Sequence, residues 1–316
     1  MTTGGVYVIT ELARHLAADA EVTLVVGKGQ HRPIPGIRVI PANGLDPEAL
    51  PDADVVIGGL AQGTVDQVLG LPARVGTPVF LFMGYGEPGS TAVRLALARR
   101  PRVLTIAEFL AADARRAGCA VEPIAVGLDR DLFAPGREAS VRQPLVAMIS
   151  HGAAWKGTAD GAEALREVRA ACPEAEVVYF GEPRDDIPGR LAEQLSGHRD
   201  RIGALLGRAA VFVLPSWEEG LGLPGIEALA CGAALATTDT RGGRDYAQHE
   251  VTALVSPPRQ PAALARNVVR LLRDRELRGA LASAGQRFVL DRYPAWPQAA
   301  FRFRRAVERL AAMPDG

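Results

Sequence analysis

The sequence is short of cysteine and net charge, and each shortage excludes a class of protein. The three cysteines in 316 residues, Cys119, Cys172 and Cys231, are odd in number and far apart. They form neither a disulfide framework nor a metal-binding pattern, which favours a reducing compartment. The 36 basic residues balance 36 acidic ones, so nothing in the charge indicates nucleic-acid binding.

Membrane-spanning and secretory segments are also missing. The sequence contains no apolar run of about 18 residues, the length expected of a transmembrane helix. Its start, MTTGGVY, lacks the basic segment of a signal peptide. These features predict a soluble cytoplasmic protein.

Short apolar segments alternate with helical patterns along the whole chain, which indicates a parallel α/β sheet. Strands are predicted at 21–26, 37–40, 54–57, 77–83, 103–106, 145–149, 176–180, 209–214, 233–237 and 252–255. Helices are predicted at 65–69, 91–99, 108–117, 158–171, near 191, and at 202–208, 261–273, 276–290 and 298–312. The 48% hydrophobic content supports full cores.

The segment 127–144 is polar, rich in Pro and Gly, and without periodicity, so we interpret it as an interdomain linker. We expect a domain at 1–134, a second at 135–295, and a helix at 296–316 that crosses back to the first. Two such domains form a cleft, and ligands bind at the carboxyl ends of their strands. Only three residues precede Gly4. The usual first strand is therefore expected to be absent from the first domain, which we attribute to a truncated or misassigned start.

The stretch SWEEGLGLPGIEALACG, residues 216–232, follows the predicted strand 209–214. Pro224 and Gly232 predict a short helix after a glycine-rich loop. The amino terminus of a helix presents free N–H groups that bind phosphate, whereas Glu219 and Glu227 can accept hydrogen bonds from sugar hydroxyls. The stretch therefore fits a ligand that is part diphosphate and part sugar.

This stretch resembles the donor-site signature PS..EGFGLP..EAMACG of the GT-B glycosyltransferases of family 4, with Leu221 in place of phenylalanine. The two glutamates of the family fall on Glu219 and Glu227. The motif VGLDRDLFAP at 126–135 resembles the one that precedes the family's linker. The sequences WKGTADG at 155–161 and TDTRGGRDYA at 238–247 resemble those of the bacterial surface-polysaccharide rhamnosyltransferase branch.

The resemblance implies a role for each residue of the donor site. Glu227 is expected to bind the ribose of the nucleotide, and Glu219 to face the donor sugar as a catalytic residue together with Lys156. The remaining donor-binding candidates are Gly220, Leu221, Gly222 and Leu223, through their N–H groups, with Gly157 and, from the first glycine loop, Gly4 and Gly5.

Lys156 matches the lysine of the family's lysine–glycine pair, and its fixed charge would stabilise the leaving diphosphate. Family members usually carry an arginine five or six residues earlier, where this chain has His151 and Ser150. His151 could bind the phosphate when protonated, or have only a local structural role.

The sequence GYGEPG at 84–89 is a literal G-x-G-x-x-G between a predicted strand and a helix, and it supports a rival interpretation as a nicotinamide-dependent oxidoreductase. Pro88 removes one N–H group from this loop, and the motif does not open the domain. In the family this loop faces the acceptor, which makes Tyr85 and Glu87 candidates for the acceptor site.

The resemblance as a whole implies a retaining, metal-independent hexosyltransferase of GT-B fold, active in polysaccharide biosynthesis. It would use a nucleoside-diphosphate sugar as co-substrate, without a cofactor, and a hydroxyl acceptor on a glycan, a lipid-linked glycan or a small molecule. A lipid-linked acceptor would bring the protein to the inner face of the membrane as a peripheral protein. A non-catalytic nucleotide-sugar-binding partner subunit is the alternative.

Overall fold

The structure is a computed structural model, and it describes residues 4–27, 34–42, 44–86, 89–136, 138–182 and 199–314. Glu87 and the helix predicted near Leu191 lie outside these ranges. The chain divides into two compact units. The carboxyl-terminal unit runs from Leu128 to Tyr293, and the amino-terminal unit contains the described residues up to Gly127 together with those from Pro294 onward.

Both boundaries fall slightly before the predicted ones. The first does so because the start of the polar segment 127–144 packs into the carboxyl-terminal unit. Leu128 and Phe133 are buried, with 3% and 1% of their surface exposed. The guanidinium of Arg130 donates hydrogen bonds to the carbonyl oxygens of Leu290 at 2.6 Å and Tyr293 at 2.8 Å. This segment is therefore part of a folded unit instead of a free linker.

The described part of the amino-terminal unit contains six strands, and each pair of hydrogen-bonded neighbours is parallel. They are β1 (Thr23–Gly27), β2 (Arg38–Ala42), β3 (Val55–Gly59), β4 (Thr77–Phe82), β5 (Val103–Thr105) and β6 (Val121–Pro123). Its first four helices are α1 (Gly4–Leu16), α2 (Gln62–Leu69), α3 (Thr91–Ala98) and α4 (Glu108–Arg116). The short β6 has no counterpart in the sequence prediction.

These strands form two sheets, β1–β2 and β3–β4–β5–β6, instead of one. Among the described residues, β1 and β3 therefore each keep one edge without a neighbouring strand. Val25 on β1 is 36% exposed and Ile57 on β3 is 42% exposed, whereas strands of parallel sheets are normally buried on both faces. The first described element of this unit is the helix α1.

The carboxyl-terminal unit contains one parallel sheet in the order β11–β10–β9–β7–β8. Its strands are β7 (Leu145–Ser150), β8 (Glu176–Gly181), β9 (Val211–Leu214), β10 (Ala234–Thr238) and β11 (Leu254–Ser256). Its helices are α5 (Thr158–Ala171), α6 (Arg199–Arg208), α7 (Leu223–Ala230), α8 (Pro261–Arg273) and α9 (Arg275–Arg292). Apolar side chains of α5 and α8 pack on the sheet to form the core.

The last helix, α10 (Trp296–Ala311), belongs to the amino-terminal unit and packs on α1 and on β4, β5 and β6. Pro297 stands in its first turn, where the missing N–H group costs nothing. Trp296 meets Tyr7 of α1 edge to face, with ring centroids 5.6 Å apart. No described helix is both long and apolar enough to cross a lipid bilayer.

Candidate functional site

Three loops of the carboxyl-terminal unit leave the same edge of its sheet. They follow β7, β9 and β10, which are neighbours in the sheet and parallel. Because the carboxyl ends of parallel strands lie at one edge, the loops at 151–157, 215–222 and 239–243 start side by side. This edge contains most of the residues predicted to bind the donor.

Glu219 is the centre of a polar cluster at this edge. Its side chain is buried and accepts a hydrogen bond from the Lys156 ammonium group at 2.7 Å and another from the Ser216 hydroxyl at 2.7 Å. Lys156 is 29% exposed, so its charge is accessible to a ligand as well. The structure thus brings together the two predicted catalytic residues, and it adds Ser216, which the sequence analysis did not single out.

The Lys156 loop is fixed against the loop that follows β9. Gly157 adopts a left-handed φ of 63°, and a Cβ atom there would collide with the carbonyl oxygen of Pro215. The backbone N–H group of Trp217 donates to the Trp155 carbonyl oxygen at 2.7 Å. Only glycine permits this approach without strain, so Gly157 determines where Lys156 stands.

The turn at 219–223 leads directly into α7. Gly222 has a φ of 88°, and a Cβ atom on it would lie 2.6 Å from the Tyr246 hydroxyl. That hydroxyl donates a hydrogen bond to the Gly222 carbonyl oxygen at 2.9 Å. The N–H groups of Gly220, Leu221 and Gly222 make no hydrogen bond to another described residue. The buried Tyr246 therefore shapes a turn whose N–H groups can bind an anion.

Glu227 lies on α7 and is 7% exposed. It pairs with the guanidinium of Arg199, the first residue of α6. Burial raises the pKa of the Glu227 carboxyl group, and the charge and hydrogen bond of Arg199 oppose that rise. The same guanidinium stacks on the Phe133 ring at 5.0 Å. Sequence reasoning missed Arg199, because no pattern links a residue 28 positions away to Glu227.

His151 makes local contacts. The Ala153 N–H group donates to its Nδ1 at 3.0 Å, and its Nε2 lies 3.5 Å from a carboxylate oxygen of Glu182. The other oxygen of Glu182 accepts a hydrogen bond from the Gly152 N–H group at 2.5 Å. The position of the usual arginine is thus filled by a histidine beside a carboxylate.

The remaining predicted residues belong to the amino-terminal unit. Gly4 and Gly5 begin α1, and a Cβ atom on Gly5 would lie 3.1 Å from the Met83 side chain. The Tyr85 hydroxyl donates to Asp113 at 2.8 Å. Glu87 is not among the described residues. In the part of the chain that the structure describes, no cluster of three or more His, Cys, Asp or Glu side chains could hold a metal ion.

Comparison with known sequences shows what part of the carboxyl-terminal unit resembles. Residues 143–274 match the family described as glycosyl transferases group 1. The 2-deoxystreptamine glucosyltransferase of Streptomyces kanamyceticus is 28% identical over 66% of this chain and 60% of its own length. An N,N'-diacetylbacillosaminyl-diphospho-undecaprenol alpha-1,3-N-acetylgalactosaminyltransferase of Campylobacter jejuni is 29% identical over 45% of this chain and 39% of its own. The chain thus spans less than two thirds of the length of these curated relatives.

Solved structures share the fold of the whole chain. Sucrose-phosphate synthase from Thermosynechococcus elongatus superposes with a TM-score of 0.78 at 17% identity, over 98% of this chain and 94% of its own. HepE from Anabaena in complex with UDP-glucose gives a TM-score of 0.76 at 17% identity, over 98% of this chain and 96% of its own. The chain therefore has the GT-B fold. Its residues 143–274, which contain Lys156, Glu219 and Glu227, are similar to the group 1 glycosyl transferases.

Proposed function

We propose that this chain transfers a hexose from a nucleoside-diphosphate sugar to a hydroxyl acceptor, with retention of the anomeric configuration. The observation that supports this most is the cluster of Glu219, Lys156 and Ser216 beside the amino terminus of α7. The named relatives transfer sugars, and HepE has been seen with UDP and with UDP-glucose. A nucleotide-sugar donor is the ligand class that agrees with both the polar cluster and these similar proteins.

In this proposal the donor occupies the edge of the sheet around the turn at 219–223. Its diphosphate accepts hydrogen bonds from the N–H groups of Gly220, Leu221, Gly222 and Leu223, and the ribose hydroxyls donate to Glu227. Lys156, held next to Glu219, neutralises the charge that develops on the leaving diphosphate. The acceptor hydroxyl attacks from the same face, and the leaving phosphate oxygen accepts its proton. No enzyme nucleophile and no metal ion takes part.

The donor is identified by a thermal-shift screen of UDP-, GDP- and dTDP-sugars. Because dTDP-rhamnose tests the rhamnosyltransferase branch, we include it in the screen. A donor that binds the folded state with its concentration at 100 times Kd stabilises that state by about 2.7 kcal/mol. No shift with any of the three nucleotides would contradict the proposal.

Two substitutions test the assigned roles. Glu227→Ala removes the acceptor for the ribose hydroxyls and should weaken nucleotide binding by about tenfold to a hundredfold. Lys156→Ala should leave binding closer to wild type and slow transfer by about a hundredfold or more, since its charge acts mainly on the leaving group. Isothermal titration and a donor-hydrolysis or transfer assay measure the two effects.

Glu167→Ala, on the exposed face of α5, is the matched control, and it should behave as wild type in both measurements. Unchanged binding and unchanged turnover in the two site variants would show that the roles are assigned to the wrong residues.

A non-catalytic nucleotide-sugar-binding subunit is the second candidate. It is favoured by His151, which lies beside Glu182 where group members usually carry an arginine. A guanidinium there would add a second fixed positive charge for the diphosphate. Purified protein that binds a nucleotide sugar yet neither hydrolyses nor transfers it would support this alternative over the enzyme.

A further inference from the structure

Arg199 is the residue of the donor site that neither the sequence pattern nor the family match explains. It starts α6, and its guanidinium contacts Oε1 of Glu227 and the face of the Phe133 ring. Its side chain is 31% exposed, whereas that of Glu227 is only 10% exposed. Arg199 therefore reaches from the surface to a carboxylate that is almost enclosed by protein.

The buried position of Glu227 would otherwise favour its neutral form, because burial penalises the charged form. Among the described residues, the charged and titratable groups that interact with Glu227 are Arg199 from α6, Asp129 from the segment after β6, and Cys231 from the end of α7. Asp129 raises the pKa of Glu227 further, and the thiol of Cys231 stays neutral because burial raises its own pKa to about 12. Arg199 is thus the only one of these three that stabilises the carboxylate.

The contact also leaves part of the carboxylate available. Arg199 engages Oε1 of Glu227, and no other described residue donates a hydrogen bond to Oε2. A carboxyl group accepts hydrogen bonds at both oxygens only when it is ionised, since protonation turns one oxygen into a donor. A ribose with two hydroxyl donors needs the ionised form.

We propose that Arg199 is a positioning residue for donor binding: it keeps Glu227 ionised and directs its second oxygen to the ribose. The role rests on the proposed function, because it assigns Glu227 to the ribose of a nucleotide. The Phe133 ring holds the guanidinium in place by a cation–π contact, so the carboxylate does not have to reorient when the nucleotide binds.

The test is the pH dependence of nucleotide binding. UDP, GDP and dTDP are each titrated by calorimetry into wild type and Arg199→Gln between pH 6.5 and 9. Without the arginine, Glu227 should protonate at a higher pH, so affinity should be lost as the pH falls through a midpoint at least about one unit above that of wild type. At pH 6.5 the variant should bind about tenfold more weakly, and the difference should shrink towards pH 9.

Three further variants separate this role from a purely structural one. Arg199→Lys retains the charge and should restore most of the wild-type midpoint. Arg201→Gln removes the same charge from an exposed position on α6 and should leave the curve unchanged. The side chain in Glu227→Gln cannot ionise. This variant should therefore bind the nucleotide weakly at every pH, with no midpoint that arises from residue 227. Each variant is first checked for a native circular-dichroism spectrum and melting temperature.

The outcomes distinguish the inference from the proposed function. If wild type binds a nucleotide and Arg199→Gln gives the same affinity and the same pH midpoint, the role of Arg199 is wrong and the proposed function stands. A uniform loss of affinity in Arg199→Gln at all pH values would also overturn the role, because it would indicate a contact independent of ionisation. If wild type binds none of the three nucleotides, the proposed function and this role are both wrong.

Discussion

At the scale of single residues, the two glutamates of one signature have different environments. Glu219 accepts hydrogen bonds from an ammonium group and a hydroxyl, both within the loops at the sheet edge. Glu227 depends on one guanidinium that comes from a different helix. The spacing of the two glutamates in the sequence does not reveal this difference. Their chemistry is set by neighbours that the signature does not contain.

The cysteines give a prediction at this scale. All three are free and buried, and burial raises the pKa of Cys119 to about 11 and that of Cys231 to about 12. At pH 8 only about one part in a thousand of Cys119 would then be thiolate, the reactive form. We expect native protein to react negligibly with Ellman's reagent at pH 8 and denatured protein to release three equivalents.

The thiol titration has a built-in control, because the same sample is measured before and after guanidinium is added. Rapid reaction of even one thiol in the native protein would contradict the burial of these residues. Since Cys172 is also fully enclosed, the prediction applies to all three.

At the scale of elements, two buried arginines fasten the segment before β7 to the carboxyl-terminal unit. Arg142 donates to the carbonyl oxygens of Leu206, Ala209 and Cys231. Arg278 on α9 is 2% exposed and donates to carbonyl oxygens of the segment before β7 and of α8. Its acceptors are Ala139, Ser140, Leu271 and Leu272. A segment that is polar in sequence therefore becomes a packed part of the domain.

Arg278→Met should destabilise the carboxyl-terminal unit by about 3 kcal/mol or more, because several buried carbonyl groups lose their partner at once. Urea unfolding followed by tryptophan fluorescence measures the change. Arg275→Met is the control, since Arg275 is exposed one turn earlier on the same helix, and its effect should stay within about 0.5 kcal/mol. Equal stabilities for the two variants would contradict the role of Arg278.

Elements with strong local patterns were predictable. The sequence predicts helices at 158–171 and 261–273, and α5 and α8 have these bounds. Apolar spacing and the proline at the start of α8 suffice for this. The three-residue β6 was missed, because Val121–Pro123 is too short for a periodic signal and exists through its pairing with β5. Two carbonyl acceptors of Arg278, those of Ala139 and Ser140, likewise come from residues that are remote in sequence.

At the scale of the whole molecule, the two units differ in how completely their strands are covered. The strands β9 and β10 are buried along their entire length. In the amino-terminal unit, β1 contains no buried residue and β3 only one. Because hydrophobic burial is the main stabilising term of folding, the carboxyl-terminal unit is expected to be the more stable one.

Scanning calorimetry should therefore resolve two transitions, with the amino-terminal unit melting first. A nucleotide such as UDP at 100 times its Kd should raise only the upper transition, by about 5–10 °C. In Glu227→Ala, which we expect to bind more weakly, the same UDP concentration should give a smaller shift. A single transition that UDP shifts as a whole would contradict the prediction that the two units unfold separately.

The sequence by itself determined the alternation of strands and helices, and with it the fold class. It also placed Lys156, Glu219 and the glycine-rich turn, because local spacing sets which residues follow the ends of parallel strands. Tertiary structure decided which charges meet. Arg199 reaches Glu227, Ser216 shares Glu219 with Lys156, and Glu182 lies beside His151. Apart from Ser216, which is close in sequence, these partners lie on different elements, and only packing brings their charges within a few ångströms, where electrostatic interactions are strong.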